Sequence, residues 1–134
     1  MILVDTSAWF ASVVTSEIDY PSATHWLATQ PKPLLTTDFI IDETLTLLRA
    51  RGQHAIAIAL GSRFFGNQLA TIYYLTQDDI HTAWEIFRSF SDKAWSCTDC
   101  TSKVVIDKLA LTTAFAFDHH FRQFGNIQVV PTLD

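Results

Sequence analysis

The chain has 134 residues, a formal net charge of −5 and 49% hydrophobic residues. This length fits one compact domain over residues 1–134 rather than two, and the apolar content excludes a disordered chain. The acidity argues against a broad basic surface that grips nucleic acid through many phosphate contacts. It leaves two alternatives, namely simple solubility or a cluster of carboxylates that holds a cation, which would then meet a phosphate.

The beginning of the chain and its two cysteines bear on where the protein functions. Residues 1–5 lack a basic segment before the first carboxylate, and the longest uncharged runs are shorter than the roughly 18 apolar residues of a membrane span. Cys97 and Cys100 form a lone C-x-x-C, so a structural zinc site would lack half of its ligands. We therefore expect a cytoplasmic protein with no membrane span and with reduced cysteines.

In the first half of the chain, short apolar runs alternate with segments of helical periodicity. Pro21 suits the first turn of a helix, and Asp38 suits the N-cap of the helix that Gly52 ends. The predicted elements are a strand at Ile2–Val4, helices over 7–14 and 20–28, a strand over 34–36 and a helix from residue 38 that carries Glu43.

In the second half of the chain, Thr76 and Asp79 form the pattern of a capping box. We expect the apolar stripe of the following helix to face the core. About five strands alternating with helices predict the α/β class, with a mainly parallel sheet and helices on both faces. The stripe consists of Ile80, Ala83, Trp84 and Phe87, and the other predicted elements are helices over 55–65 and 99–109 and strands over 71–75, 114–117 and 127–130.

Four carboxylates lie close to the carboxyl ends of predicted strands. Asp5 and Asp118 come at the ends of two of these strands. Asp99 opens a helix after a loop, and Glu43 lies about a turn and a half inside the helix after the second strand. Open parallel sheets bind ligands at this edge. Because carboxylates gathered there repel one another, we expect a divalent cation to offset their charge.

Each of the four acids also has a purely structural alternative. Asp5 could cap the first helix, and Asp99 could be an acid stabilised at a helix N-terminus. Asp118 could begin a turn, and Glu43 could be a solvated helix residue. A single shared site explains all four acids at once, which favours the site over four separate structural roles.

The segments that contain these acids resemble the successive acidic motifs of PIN-domain ribonucleases, particularly the VapC-type toxins of type II toxin–antitoxin systems. The resemblance spans nearly the whole chain and includes a D-x-x-x-S-x-x-D pattern formed by Asp92, Ser96 and Asp99. The last motif of the family usually reads Asp-Arg-His-Phe, and His119 replaces the arginine here. The four segments are VDTSAW at 4–9, IDET at 41–44, SCTDC at 96–100 and AFDHHF at 116–121.

The resemblance implies a PIN-like fold and a Mg²⁺- or Mn²⁺-dependent endoribonuclease that acts as a toxin. Its implied partners are an RNA substrate, a cognate antitoxin and a second copy in a homodimer. The catalytic and metal-ligand positions of the family match Asp5, Glu43, Asp99 and Asp118. We expect Asp5 and Asp99 to be the principal ligands, while Glu43 and Asp118 complete the site and orient the attacking water.

Three other functions compete with this hypothesis. A housekeeping RNA-processing nuclease would use the same site. A non-catalytic binding module with the same fold is disfavoured by the presence of all four acids. An aspartate-nucleophile phosphatase is disfavoured because Ser7 stands where such enzymes usually carry a second acid.

RNA binding also needs cations, and the chain has only 9 Lys and Arg residues, so a dimer would enlarge the binding surface. Lys103 lies one turn after Asp99 and either faces the same cleft or forms an i,i+4 ion pair with it. The early aromatic residues Trp9, Phe10 and Trp26 are candidates for interfaces, with core packing as the default. The candidate cations are Arg49, Arg51, Arg63, Lys103, Lys108, His119, His120 and Arg122.

Overall fold

A computed structural model describes residues 1–132 of the chain. Within this range the backbone forms five strands, six α-helices and one short 3₁₀ helix. In chain order these are β1 (Ile2–Val4), α1 (Thr6–Val13), α2 (Tyr20–Thr29), β2 (Leu34–Thr37), α3 (Asp38–Ala50), α4 (His54–Phe65), β3 (Thr71–Tyr73), α5 (Gln77–Ser89), α6 (Cys97–Lys108), β4 (Thr113–Phe115), the 3₁₀ helix (His119–Gln123) and β5 (Gln128–Val130).

The five strands form one parallel sheet in the order β3-β2-β1-β4-β5, which confirms the predicted fold class. The chain leaves β1 toward β2 and β3, and it later returns to place β4 on the other side of β1. Right-handed crossovers that run in opposite directions place their helices on opposite faces of the sheet. The strand order therefore reverses between β1 and β4, and this switch point is where such sheets bind ligands.

The sheet is buried on both faces, as its apolar composition predicts. Leu3, Val4 and Phe115 are fully buried. The ring of Trp9 packs edge-on against Phe64 with centroids 4.9 Å apart, and Trp26 packs on Phe115 at 4.1 Å.

The early aromatic residues therefore take the default role of core packing rather than that of an exposed interface. Trp9 and Phe10 are buried, with 2% and 7% of their surface exposed, and Trp26 is half-buried.

Two helix starts and the ends of two strands differ most from the sequence prediction, and one of these strands is β3, which ends at Tyr73 rather than at residue 75. Thr37, not Asp38, is the N-cap of α3, because its hydroxyl accepts from the Ile40 N–H at 3.1 Å. The Asp38 carboxylate instead accepts from the Leu75 N–H, which ties the first turn of α3 to the segment after β3. Helix α6 begins two residues earlier than predicted because Ser96 is its N-cap, and β4 ends at Phe115 rather than at residue 117.

The prediction that the apolar stripe of α5 faces the core is wrong for three of its four residues. Ile80, Trp84 and Phe87 have 37%, 54% and 45% of their surface exposed, and only Ala83 is buried. The inward face of α5 instead runs through Asp79 and Ala83. Adjacent helical positions differ by about 100°, so the stripe is turned about one position away from the core.

The structure also addresses the expectations about membranes and cysteines. In the part of the chain that the structure describes, no helix is long and apolar enough to span a membrane. Cys97 is exposed and Cys100 is buried, and both are free thiols. Burial, together with the nearby Cys97 and Asp99, raises the pKa of the Cys100 thiol to about 11.

Candidate active site

The structure brings all four predicted acids to one cavity of about 350 Å³ at the switch point of the sheet. We call this cavity the acidic cleft. The backbone N–H of Asp5 donates to the Phe115 carbonyl at 2.9 Å and so joins the ends of β1 and β4. The lining residues of the acidic cleft include Asp5, Glu43, Asp99 and Asp118, together with Ser7, Leu47, Ser96 and His120.

Asp5 is the most deeply enclosed of the four acids. It follows β1 directly and has 3% of its surface exposed. It is also the N-cap of α1, because its Oδ2 accepts from the Ser7 N–H at 3.3 Å and from the Ser7 hydroxyl at 2.8 Å. Burial raises the pKa of Asp5 to about 7, with a further contribution from the charge of Asp99, and the Ser7 hydrogen bonds oppose this rise. The charged form is thus costly unless a cation offsets it.

Asp99 is held in place by the start of α6. Its backbone N–H donates to the Ser96 hydroxyl, and its Oδ2 accepts from the Ser96 N–H, both at 3.0 Å, which completes a capping box. The imidazole Nδ1 of His120 lies 3.0 Å from the same Oδ2. Asp92, the first acid of the D-x-x-x-S-x-x-D pattern, is exposed beside Lys93 and lies outside the cleft. Only the second acid of that pattern therefore contributes to the cleft.

Asp118 lies just beyond β4 and is connected to Asp5 through one serine. The Ser7 hydroxyl accepts from the N–H groups of Phe117 and Asp118, at 3.0 and 3.2 Å, while it donates to Asp5. Asp118 Oδ1 in turn accepts from the His120 N–H at 2.9 Å and caps the 3₁₀ helix. Ser7 therefore fixes the segments after β1 and after β4 relative to each other.

Glu43 reaches the acidic cleft from α3, where it is half-buried beside Leu47. It is thus neither a fully solvated helix residue nor part of the core. The structural alternatives weighed for Asp5, Asp99 and Asp118 are also true, since each of these residues makes local capping or turn hydrogen bonds. The two roles coexist because a carboxylate has two oxygens.

In each of the three aspartates, a single carboxylate oxygen accepts the hydrogen bonds. These oxygens are Oδ2 of Asp5, Oδ2 of Asp99 and Oδ1 of Asp118. The second oxygen of each carboxylate is left for a further partner. Hard divalent cations such as Mg²⁺ bind through one or two carboxylates plus waters and substrate phosphates, so the free oxygens of these aspartates are of the ligand type that such an ion takes.

Two histidines enlarge this group in a way that the sequence interpretation missed. Asp118, His119 and His120 place one ligand atom each within 4.8 Å of one another, and no other group of three candidate ligands within residues 1–132 meets this spacing. The sequence interpretation placed both histidines among the candidate RNA contacts only. The signal was the His-His pair that directly follows the last acid, because imidazole nitrogen suits transition ions such as Zn²⁺.

Lys103, which lies one helical turn after Asp99, does not contribute to the acidic cleft. Lys103 forms its i,i+4 ion pair with Asp107 at 3.1 Å, not with Asp99, and it does not line the cleft. Lys108 is bound to Asp79 at 3.0 Å. Of the predicted cations, His120 is the one that lines the cleft.

Cavity size alone does not identify the site. A larger cavity of about 520 Å³ lies beside the starts of β2 and β3, where Leu34, Leu69 and Ile72 contribute to its wall. Among residues 1–132, no charged side chain lines it. The acidic cleft is smaller, but it holds the groups that can carry out chemistry.

Comparisons with known proteins agree with this geometry, although no protein-family model matches the chain. The 23S rRNA-specific endonuclease VapC20 of Mycobacterium tuberculosis, from strains CDC 1551 and H37Rv, is 30% identical over 131 residues, which is 98% of this chain and 99% of the relative. The crystal structure of VapC20, a sarcin-ricin loop cleaving toxin, matches with a TM-score of 0.88 at 29% identity over 93% of this chain and 95% of that one. FitAcB of Neisseria gonorrhoeae shares the fold at a TM-score of 0.66 and 13% identity, covering 96% of each chain.

A parallel five-stranded sheet with four carboxylates at its switch point defines the class of PIN-domain nucleases, and the likeness to VapC20 extends over nearly the full length of both chains. The chain belongs to the VapC family, the PIN-domain endoribonuclease toxins of toxin–antitoxin systems. The family expected from the sequence motifs is thereby confirmed.

Proposed function

We propose that this ribonuclease requires a divalent cation, Mg²⁺ or Mn²⁺, held by Asp5, Glu43, Asp99 and Asp118, and that residues 1–134 act as one nuclease domain. The observation that carries this proposal is the arrangement of the aspartates. Each uses one oxygen for local hydrogen bonds and keeps the other for a ligand. Four acids in one 350 Å³ cleft repel one another, and a cation removes that cost.

The residues of the acidic cleft divide the chemistry among them. Asp5 and Asp99 are the principal ligands, because both are buried and each is fixed by two hydrogen bonds to one oxygen. Glu43 and Asp118 are more accessible and orient the attacking water. A bound divalent cation supplies two effects here, since it acidifies a water molecule and neutralises charge on the phosphate.

The choice between Mg²⁺ and Mn²⁺ depends on the histidines. Both ions take carboxylate oxygen, whereas imidazole nitrogen is a ligand of transition ions rather than of Mg²⁺. His119 and His120 lie beside Asp118 at Nδ1 to Oδ1 distances of 3.8 and 3.3 Å. We therefore expect both ions to support cleavage, with Mn²⁺ favoured only where an imidazole nitrogen joins the ligands.

Family membership supports a proposal for the substrate and the partners. VapC20 acts on 23S rRNA and cleaves its sarcin-ricin loop. We propose that this chain likewise cleaves an exposed loop of structured RNA in the cytoplasm and that a cognate antitoxin inhibits it. A homodimer supplies additional cations from a second copy, which a chain of net charge −5 needs for RNA binding.

Purified protein, freed of any antitoxin, tests the metal requirement directly. The substrate is a labelled hairpin with the sequence of the 23S sarcin-ricin loop, with total RNA in a parallel assay. We expect cleavage with Mg²⁺ or Mn²⁺, no cleavage in EDTA, and recovery when either ion is added back. Asp5→Asn and Asp99→Asn should abolish cleavage without unfolding the protein, whereas Asp107→Asn, an exposed acid on the same helix as Asp99, should remain active. Cleavage that persists in EDTA, or in both cleft variants, would refute the proposal.

The role as a toxin is tested in cells and by the neighbouring gene. Expression of the wild-type chain should stop growth, and Asp5→Asn should not. Co-expression of a small protein encoded directly upstream should restore growth. A chain that is harmless when expressed, yet cleaves RNA in vitro, would favour a housekeeping role instead.

A further inference from the structure

A second cavity, of about 450 Å³, adjoins the acidic cleft, and we call it the side cavity. The two cavities share part of their walls, because Ser7, Leu47, Asp118 and His120 line both. If a phosphodiester is cut in the acidic cleft, the side cavity is the adjoining space for a neighbouring nucleotide. The residues that line only the side cavity have no catalytic role among those assigned above.

The inner wall of the side cavity is apolar and firmly held. Phe10 and Ala11 of α1 are buried and contribute to it, and Phe117 is half-buried opposite them. The Phe117 ring is fixed by an edge contact with Phe115, with centroids 5.7 Å apart, and its backbone N–H donates to the Ser7 hydroxyl. A fixed wall of aromatic and aliphatic groups suits the flat apolar face of an unstacked nucleobase.

The rim of the side cavity carries polar groups that are not used by the protein itself. Arg51, Glu17 and Asp19 line it, and none of them forms a salt bridge within the described range 1–132. Two carboxylates repel a phosphate but accept hydrogen bonds from the amino groups of a base. The Arg51 guanidinium is a planar cation that stacks on a base or donates to its ring acceptors.

We propose that the side cavity is a specificity subsite that binds one unstacked nucleobase of the RNA next to the cleaved phosphodiester, and that it prefers bases with an exocyclic amino group. Adenine, cytosine and guanine carry such a group, and uracil does not. This inference rests on the proposed function, because it takes the acidic cleft as the place where the phosphodiester is cut. It assigns Arg51, Glu17 and Phe117 to substrate recognition rather than to chemistry.

A thermodynamic cycle between protein and RNA tests the subsite. In a cleaved hairpin, each nucleotide that flanks the mapped cut is replaced in turn by an abasic residue, and kcat/KM is measured for wild type and Arg51→Ala. We expect one abasic position to lower kcat/KM at least about 10-fold, as expected for one lost stacking contact. The Arg51→Ala change should be similarly harmful on the intact RNA but should have less than about a twofold effect on that abasic RNA.

The matched control is Arg49→Ala. Arg49 lies in the last turn of α3, two residues before Arg51, which is the C-cap of that helix. Both arginines are exposed, but Arg49 lines a different cavity with Leu45 and Ala57. Loss of this charge should weaken cleavage of the intact and abasic RNAs by the same factor. Glu17→Gln should reduce the preference for an amino-bearing base over uracil at the coupled position. If the effects of Arg51→Ala multiply independently with every abasic substitution, the side cavity does not bind a base and the inference fails.

A binding measurement separates the failure of this inference from failure of the proposed function. Asp5→Asn protein, expected to be inactive, is titrated with the same intact and abasic hairpins and followed by fluorescence anisotropy. The coupling between Arg51 and one base should also be present in these affinities. If the wild-type protein does not cleave RNA but the coupling is present in the affinities, the metal-dependent nuclease is refuted and the subsite is retained. If the wild-type protein cleaves RNA but neither assay shows the coupling, the subsite is refuted and the nuclease is retained.

Discussion

The imidazole of His120 bridges two carboxylates that come from different parts of the chain. Its Nδ1 lies 3.0 Å from Oδ2 of Asp99, 21 residues earlier, and 3.3 Å from Oδ1 of Asp118. The side chain of His120 is 18% exposed. Through its contact with Asp99, this residue of the 3₁₀ helix after β4 holds the start of α6 in position. His120 is therefore a positioning residue for Asp99.

We predict that His120→Ala lowers kcat about 10²-fold, because a small displacement of a catalytic group has an effect of this size. The affinity for RNA should change little. His120→Asn should recover part of the activity, since its amide N–H₂ replaces the Nδ1 donor. The control is His81→Ala, an exposed histidine on α5, which should behave as wild type in single-turnover kinetics. Equal losses in the Ala and Asn variants would contradict a positioning role.

Glu43 provides a sharp comparison with its neighbour in sequence. Glu43 lines the acidic cleft, whereas the adjacent Asp42 is exposed. Glu43→Gln should lower kcat at least about 10²-fold because one negative oxygen is lost from the cleft. Asp42→Asn removes the same charge one position away and should leave kcat within about twofold. Similar losses in both variants would show that only the total charge matters.

Binding of a divalent cation should stabilise the folded protein. Anything that binds only the native state adds stability, about 2.7 kcal/mol at a concentration of 100 times Kd. We expect Mn²⁺ to raise the melting temperature of wild type in differential scanning fluorimetry and EDTA to reverse the shift. Asp5→Asn should lose most of this response while Asp107→Asn keeps it. An equal response in Asp5→Asn would remove Asp5 from the ligand set.

The same variant should show the cost of the buried charge when metal is absent. Burial raises the pKa of Asp5 to about 7. Ionising Asp5 above this pH therefore costs more free energy in the folded state than in the unfolded state. In EDTA, Asp5→Asn should therefore be more stable than wild type at pH 8, by an amount on the order of a few kcal/mol. The difference should shrink as the pH falls from 7 toward 4, as measured by urea unfolding. A difference that does not depend on pH would contradict this origin.

A second buried carboxylate should have the opposite pH dependence. Burial acts to raise the pKa of Asp79, but hydrogen bonds from Tyr73, the Thr76 backbone and Lys108 outweigh it and hold this pKa well below its usual range. The stability from Asp79 is therefore present above the unfolded pKa of about 3.9 and is lost as the pH falls below it. Asp79→Asn should cost about 1–3 kcal/mol in urea unfolding at pH 7 and much less near pH 2. The exposed neighbour variant Asp78→Asn should change little at either pH.

Local patterns were sufficient for most of the fold. The capping box at Thr76 and Asp79 forms as predicted, and the S-x-x-D spacing at Ser96 and Asp99 forms a second one. Both depend on side-chain and backbone atoms only three residues apart. The parallel sheet also follows from sequence, because apolar strands separated by helices have few other ways to bury both faces.

The error in the phase of α5 came from a residue with a partner far away in the chain. Asp79 faces inward on α5 because Tyr73 and Lys108 supply its hydrogen bonds, so the buried face includes a charge and the apolar stripe of Trp84 faces solvent. Hydrophobic periodicity alone cannot reveal which side of α5 faces the core when that side carries a charged residue. The ion pair of Lys103 with Asp107 rather than Asp99 has the same kind of cause, because Asp99 is already held by Ser96 and His120.

The sequence by itself determined the fold class and the family, because these depend on element order and on short motifs, and it predicted the four acids that the fold brings to one cavity. Only the tertiary structure decided which oxygen of each aspartate remains available, that Ser7 joins the segments after β1 and β4, and that His120 lies between Asp99 and Asp118. These relationships arise when the parallel sheet brings together strand ends that are far apart in the chain, and no local pattern records them.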